Sequence, residues 1–467
     1  MSVKIQIVGL PKIKNIKDKE IDRILNEANI KSISKKKVSI DDDYENYEIE
    51  FNKNEYKNIS DLINKINSLK FHYHPNIVID SYEINEVDSS LKFPIPKSNS
   101  EIKYLIDYDK LINLEYSKTL GKDELVYTNK NFLEKQRNMF SYFVKKIGKN
   151  IFQGKSIMSI SLPIFIFDTR SLLEMWVWQN GYCSNYLELA GKTKIPLERL
   201  KYTTSYAISK FHLCANQQKP FNPILGETFQ CKILDSLFYL EQTSHHPPIS
   251  NYYVIGKNYK AYGYNEPEAN GGANSFDIGA KGNTNILFSD GDVHSINNPG
   301  MCIGGTIIGD RTIKFLGELQ IVDKKNDLIC VIDFNPDERS FLNKLVTKKE
   351  TFPDYIKGII TNISNNTKFN KEKNCYEIID KKKNVLSEVE GEFTSFLNFD
   401  GKCFWEFKEG NYPKIYRQEF TLPSDSYFRE DLHFLIKNQE DVAGAYKNIM
   451  EERQRADRKF REKYNKK

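Results

Sequence analysis

Apolar and polar residues alternate with a period of two at the start of the chain. Val3, Ile5 and Ile7 are separated by Lys4 and Gln6, which predicts a strand with one buried face. Ile21, Ile24, Leu25 and Ala28 then recur at helical spacing, and after a polar stretch Tyr47 to Phe51 alternates again. Ser60 stands as a candidate N-cap before Leu62, Ile63, Ile66 and Leu69 on one helix face, and residues 76–80 supply a further strand. This β-α-β-α-β order over residues 1–95 predicts a small α/β domain, compatible with a ferredoxin-like or similar two-layer fold. Pro94, Pro96 and the polar run 97–100 mark its end, and residues 96–135 read as a linker with short ordered pieces.

The pattern changes twice more. Phe140, Phe143, Val144, Ile147 and Ile151 fall on one helical stripe with Lys145, Lys146 and Lys149 off it, which predicts a basic amphipathic helix. Residues 161–174 and 198–209 also carry helical periodicity. From Phe229 to Phe407, short β-rich runs separated by Gly, Asn and Asp take over: 252–255, 285–288, 313–321, 328–334, 355–360 and 403–407. Their close spacing predicts hairpins, hence an antiparallel meander that curls into a barrel to hide its edges and can enclose a cavity. Beyond Tyr427 the chain is helical again, with Leu432, Leu435 and Ile436 forming an apolar stripe.

A length of 467 residues exceeds what one core normally organises, so two domains, or one large domain with an appendage, are expected. No window approaches the roughly 18 consecutive apolar residues of a membrane-spanning helix, and the first residues lack a secretory core, so a cytoplasmic protein is expected. The seven cysteines form no C-x-x-C pair, which argues against a disulfide framework and a structural zinc site. His72 and His74 are two apart on one strand face, but no third ligand completes a site around them. The formal net charge of +5 is matched by the tail alone, where residues 447–467 hold nine basic and four acidic side chains. Such a basic helix suits an anionic membrane surface or phosphate groups.

The candidate chemistry gathers around Leu240-Glu-Gln-Thr-Ser-His-His-Pro-Pro-Ile249. It sets two imidazoles at the end of a strand that Pro247 and Pro248 must stop, since neither can donate to a ladder. Neighbouring side chains on a regular strand point to opposite faces, so His245 and His246 can act together only where the backbone leaves β geometry. Lys219, Asn222, the histidine pair and the Lys447/Arg455 face all supply donors that suit a phosphate. Lys447, Glu451 and Arg455 are spaced by four and lie along one helix face, where Glu451 would orient both cations.

Lys219-Pro-Phe-Asn-Pro-Ile-Leu-Gly-Glu227 together with Glu241-Gln-Thr-Ser-His-His-Pro-Pro248 resembles the fingerprint of the oxysterol-binding protein family of lipid carriers. Thr243 stands where valine is common. Residues 161–174 and 198–209 also look like family segments, and the resemblance spans about residues 138–460. It implies an α+β fold: a large incomplete antiparallel β-barrel with a central lipid tunnel, an N-terminal lid helix at 138–153 and C-terminal helices. The Lys of K-P-x-N-P, both His and the late Lys-x-x-x-Glu-x-x-x-Arg helix would then hold the headgroup of phosphatidylinositol 4-phosphate. This maps the site onto Lys219, His245, His246, Lys447, Glu451 and Arg455, with Asn222 an added donor.

The expected function is exchange of phosphatidylinositol 4-phosphate and a second lipid, sterol or phosphatidylserine, between anionic membrane surfaces. No cofactor, metal or nucleic acid is expected. The rivals are a lipid sensor or tether without net transfer, and a hydrolase with His245 or His246 as general base. Against an enzyme stand the missing nucleophile motif, H-E-x-x-H and glycine-rich phosphate loop.

Overall fold

The computed structural model describes residues 2–11, 32–39, 44–52, 76–79, 116–131, 133–134, 137, 167–214, 219–272, 274–334, 336, 351–408, 412–417, 422–436 and 439–465. The chain divides into two compact units: residues 1–101, 419–423 and 427–467 form one, residues 102–418 and 424–426 the other. The helices expected over Ile21–Ala28 and Leu62–Leu69, the His72/His74 pair, and the lid positions Phe140, Phe143, Val144, Ile147 and Ile151 lie outside the described residues.

In the first unit β1 (Ser2–Pro11), β3 (Tyr44–Asn52) and β4 (Asn76–Ile79) coincide with the alternating segments. The apolar pattern did not predict β2 (Ser32–Ser39), whose centre is Lys35-Lys36-Lys37. It pairs with β3 at one end of the sheet order β2-β3-β1-β4, a place where lysines discourage further strand addition. Every register in this sheet is antiparallel. The same unit contains α5 (Glu430–Ile436) and α6 (Glu440–Asn465), joined by stacking of Phe434 on Tyr446. Of the predicted stripe, Leu432 and Leu435 are buried and Ile436 is exposed.

The second unit is the barrel. Its strands are β5 (Tyr116–Ser117), β6 (Leu125–Tyr127), β9 (Thr228–Ile233), β10 (Ser236–His245), β11 (Pro248–Ile255), β12 (Tyr259–Gly271), β13 (Ser275–Lys281), β14 (Thr284–Phe288), β15 (Val293–Asn297) and β16 (Gly300–Gly304). They continue through β17 (Thr312–Leu316), β18 (Glu318–Asp323), β19 (Leu328–Phe334), β20 (Tyr355–Asn362), β23 (Val385–Glu392), β24 (Phe396–Phe399), β25 (Lys402–Glu406) and β26 (Ile415–Arg417). A separate parallel pair, β7 (Phe167–Ser171) and β8 (Lys219–Phe221), and a hairpin of β21 (Thr367–Asn370) and β22 (Cys375–Ile378) complete the set.

The sheet branches at β12. Tyr259–Gly263 pairs with β14 and leads through β15, β18, β19, β20, β23 and β24 to β25, whereas Glu266–Gly271 pairs with β13 and leads through β16, β17 and β6 to β5. The strand set is that of a barrel. Among the described residues the registers leave it incomplete, with β25 and β5 at the ends of the two branches. Two short strands of this sheet, β5 and β6, come from the stretch read as a linker.

Two expectations need correction. The run 313–321 is not one strand: Gly317 at φ +87° breaks it into β17 and β18, which pair with different partners. Residues 161–174 carry helical periodicity, but within the described part Phe167–Ser171 is a strand. Helix α1 (Leu172–Gln179) begins only where the Ser171 hydroxyl accepts from the Glu174 N–H. The segment pays for no lost helix, because β7 gains the ladder with β8 instead.

Helices α1, α2 (Cys183–Lys192), α3 (Pro196–Ser209) and α4 (Phe211–Cys214) share one apolar core with the barrel strands. Arg199 to Ser209 of α3 is buried apart from Tyr202, which is partly so. Its hydroxyls solve the resulting polar problem locally: Thr203 donates to the Arg199 carbonyl, Thr204 to Leu200 and Ser205 to Lys201 at 2.8–3.0 Å. Phe211 packs edge-on against Phe315 of β17 and Phe334 of β19, so aromatic contacts bind α4 to two strands of the sheet, and Phe393 packs edge-on against Phe315 in turn. Cys183, Cys231, Cys302, Cys330, Cys375 and Cys403 carry free thiols. Among the described residues no helix is long and apolar enough to cross a membrane.

Candidate functional site

The histidine segment is a hairpin, and its irregularity brings the rings together. β10 and β11 keep regular register up to Gln242 opposite Ser250; then Ser244 faces Ile249 and His245 faces Pro248, leaving Thr243 as an extra residue on β10. Asn251 donates to the Thr243 hydroxyl at 2.6 Å, and that hydroxyl reaches the Ile249 carbonyl at 3.3 Å. β10 stops at His245, as the two prolines require, and Pro248 opens β11, where its missing N–H costs no internal ladder bond. His246 lies in the turn rather than on the strand. The two imidazole centroids are therefore 4.2 Å apart, with His245 partly exposed and His246 exposed.

The lysine segment is clipped to the same hairpin. Gly226, at φ +82°, donates its N–H to the Gln242 carbonyl at 2.8 Å, and the Gln242 N–H returns to the Glu227 carbonyl at 2.9 Å. Glu227 is buried and holds the turn closed, one carboxylate oxygen accepting from the Ile224 N–H at 2.9 Å and the other from the Ser426 hydroxyl at 2.5 Å. Gln242 is fixed in turn, accepting from Ser250 at 2.5 Å and donating to the Ser244 carbonyl at 2.7 Å. Upstream, buried Phe221 packs on Phe167 with ring centroids 4.6 Å apart. Lys219 Nζ stands 4.7 Å from the Phe167 ring centre and donates to Asn222 Oδ1 at 2.8 Å.

The predicted site residues thus fall into two groups. Lys219 with Asn222, and His245 with His246, belong to the barrel unit, where the Gly226/Glu227–Gln242 clip joins their segments. Lys447, Glu451 and Arg455 belong to the other unit and line one face of α6. Lys447, buried at 6 % exposure, is ion-paired with Glu451, whose second oxygen is 3.9 Å from the more exposed Arg455 guanidinium. Glu451 does lie between the two cations, as their spacing predicted.

Glu227, Gln242, Ser250 and Ser426 had no role in the sequence reading, although they set the geometry. Glu227 ends the lysine motif and Gln242 lies within the histidine motif, so their positions carried a signal. A buried carboxylate and a buried amide so close to candidate ligands imply structural hydrogen bonds. Ser426 carried none, being about two hundred residues away.

A family model described as oxysterol-binding protein matches residues 143–467. Oxysterol-binding protein 9 of Dictyostelium discoideum is 38% identical over 332 residues, which cover 70% of this chain and 76% of that protein. Oxysterol-binding protein-related protein 6 of Mus musculus is 25% identical over 342 residues, 67% of this chain but 32% of that longer protein. The fold is similar to the Osh1 ORD domain in complex with ergosterol, with TM-score 0.54 at 21% identity over 69% of this chain and 80% of that one. It is also similar to the Osh3 ORD of Saccharomyces cerevisiae in complex with PI(4)P, with TM-score 0.52 at 20% identity over 69% and 84% of the respective chains.

Proposed function

The chain belongs to the oxysterol-binding protein family of lipid-binding proteins, and from this premise we propose that it exchanges lipids between membranes, extracting phosphatidylinositol 4-phosphate and carrying a sterol or phosphatidylserine as second cargo. The observation that carries this reading is the hairpin irregularity that sets His245 and His246 side by side on a segment clipped to the Lys219 turn. Two imidazoles and an ammonium form a donor set for a phosphomonoester: the lysine supplies a compact charge, and the imidazoles supply directed hydrogen bonds that strengthen on protonation. Asn222 already shares Lys219 and adds an uncharged donor. Lys447, Glu451 and Arg455 are assigned to the same headgroup by their motif alone.

Selection and capture are then separate tasks. Apolar lipid surface taken from water into the barrel contributes roughly 25 cal/mol per Å², which offsets extraction from a bilayer without choosing one lipid. The charged residues choose the headgroup. Membrane association on this reading is peripheral and transient, and the protein works from the cytoplasm. The Osh1 and Osh3 domains, with sterol and PI(4)P respectively, support both kinds of cargo on this fold.

Donor vesicles containing phosphatidylinositol 4-phosphate and acceptor vesicles containing a fluorescent sterol or phosphatidylserine test the proposal. The wild-type chain is expected to move both lipids in opposite directions, and His245→Ala/His246→Ala to abolish phosphoinositide extraction with unchanged circular dichroism and melting temperature. Unchanged extraction by the folded double variant removes the headgroup assignment. Capture without delivery by the wild type makes the protein a sensor or tether.

A further inference from the structure

The strand register builds a second constellation, unrelated to the lysine and histidine motifs. His294 on β15 faces Asp323 on β18 directly across the ladder, and Asp292 lies two residues before His294, hence on the same face. The three side chains are fully buried, and one potential ligand atom from each lies within 4.8 Å of the others. Helix α3 closes the cluster with Thr203 and Arg199.

The proton positions follow from the hydrogen bonds. The Thr203 hydroxyl has one proton and donates it to the Arg199 carbonyl at 3.0 Å, so at its 3.0 Å contact with His294 Nδ1 it accepts. Nδ1 therefore carries the ring proton. Nε2 has no hydrogen-bond partner among the described residues, and it lies 3.4 Å from Asp323 Oδ2 and 3.7 Å from Asp292 Oδ2, too far for ordinary N–H···O bonds. An imidazole nitrogen flanked by carboxylates, with its other nitrogen donating to a fixed acceptor, is how a metal-binding histidine is oriented. Against the burial that opposes charge, Asp292 and Asp323 favour a cation at this nitrogen, a proton when no metal is bound.

The carboxylates are held in the same way. Asn326 donates its side-chain amide to Asp292 at 3.1 Å and to Asp323 at 2.8 Å, and its backbone N–H to Asp323 Oδ1 at 3.0 Å. Arg199 reaches Asp292 Oδ2 at 2.8 Å, while Asp292 Oδ1 has no hydrogen-bond partner among the described residues. Arg199 also forms a two-pronged pair with Asp290 at 2.6 and 3.2 Å. One guanidinium thus meets two of the three carboxylates, Asp290 and Asp292, while among the described residues Asp323 is reached only by Asn326 and by the His294 ring, and a divalent cation would cancel the two charges left over.

We propose that Asp292, His294 and Asp323 bind one divalent transition-metal ion of zinc type, as a structural clamp between the β14–β15 hairpin, the turn after β18 and helix α3. The nitrogen-to-oxygen separations of 3.4 and 3.7 Å resemble the roughly 3.3–3.6 Å expected between neighbouring ligands at ordinary zinc–nitrogen and zinc–oxygen lengths in tetrahedral geometry. Nitrogen and oxygen donors without sulfur suit zinc or manganese rather than copper(I).

The test uses the full chain. After chelator treatment and gel filtration it is titrated with Zn²⁺ and, in parallel, with Co²⁺, whose visible absorption reports coordination. One equivalent of saturable metal, a Co²⁺ spectrum of low coordination number and a raised melting temperature are expected. His294→Gln and Asp323→Asn should each weaken binding at least about tenfold, whereas Lys219→Ala should leave it unchanged. Absence of stoichiometric binding by the wild type overturns the proposal even if the variants fail to fold. So does metal uptake that a folded His294→Gln chain retains, or nitrogen chemical shifts showing an imidazolium with both nitrogens protonated in the metal-treated protein.

Discussion

The barrel unit places histidines in two opposite settings. His245 and His246 stand on a hairpin end with solvent on one side, held in place by backbone register and a distant glutamate. His294 is enclosed by α3, β15 and β18, and the buried carboxylates Asp292 and Asp323 stand beside it with the Thr203 hydroxyl and the Phe288 ring, Asp292 being held in turn by Arg199. At the hairpin the geometry is set by backbone register and by the neutral side chains of Gln242 and Ser250 together with Glu227. In the interior, charge and fold are one problem: removing a partner leaves another charge buried without compensation.

The sharpest way to break this contrast is Arg199→Ala. It strips Asp292 and Asp290 of their guanidinium and deprives the Ala190 and Thr193 carbonyls of donors. A loss of about 3–5 kcal/mol of folding stability is expected, read from the chemical-denaturation midpoint. A loss below about 1 kcal/mol would mean that the interior cluster is no more tightly coupled to the fold than the hairpin.

Lys219→Ala probes the opposite side. Losing a charged hydrogen-bond donor to a phosphate is expected to cost about 1.5–3 kcal/mol of lipid binding, roughly ten- to over a hundredfold in affinity. Stability should change by less than about 1 kcal/mol, because Lys219 is only partly buried and its support from Phe167 and Asn222 is local. Vesicle sedimentation and thermal unfolding of the same preparation check both halves.

What the sequence reveals differs between the two settings for a physical reason. The hairpin site is written in contiguous residues: prolines that stop a strand, a glycine able to adopt a left-handed turn, a lysine and two histidines in short motifs. The β-runs at 328–334 and 285–288 are equally plain, since alternation or continuous burial shows in any short window. Where the outcome depends on pairing, the local pattern misleads. The stretch 313–321 alternates well enough for one strand, and only the change of partners at Gly317 divides it. Phe167–Ser171 has helical spacing but is claimed by a parallel partner about fifty residues later. Lys35–Lys37 looks like a loop because three consecutive lysines, which suit an edge strand by deterring further pairing, break the apolar alternation that marks a strand. The Asp292, His294 and Asp323 cluster was missed because it arises from the β15/β18 register, which no motif encodes.

The smallest effect should come from a third setting, a histidine buried among rings rather than charges. His212 lies against Tyr182, Trp405 and Phe407 at centroid distances of 4.7–6.1 Å, and burial lowers its pKa to about 3 against the opposing influence of the Ser209 backbone. An unfolded chain protonates this ring near pH 6.5, so between that value and about 3 the unfolded state binds the extra proton. Stability from a neutral His212 is thus fully present above pH 6.5 and falls as the pH drops. The slope within the window is about 1.4 kcal/mol per pH unit, so roughly that much should be lost by pH 5.5. Other groups titrate in the same range, and the informative quantity is the difference between wild type and His212→Phe, which keeps an aromatic ring but cannot take up a proton. If that difference does not change between pH 7.5 and 5.5, the ring is already solvated or charged in the folded protein, and burial among aromatics would not distinguish His212 from the hairpin pair.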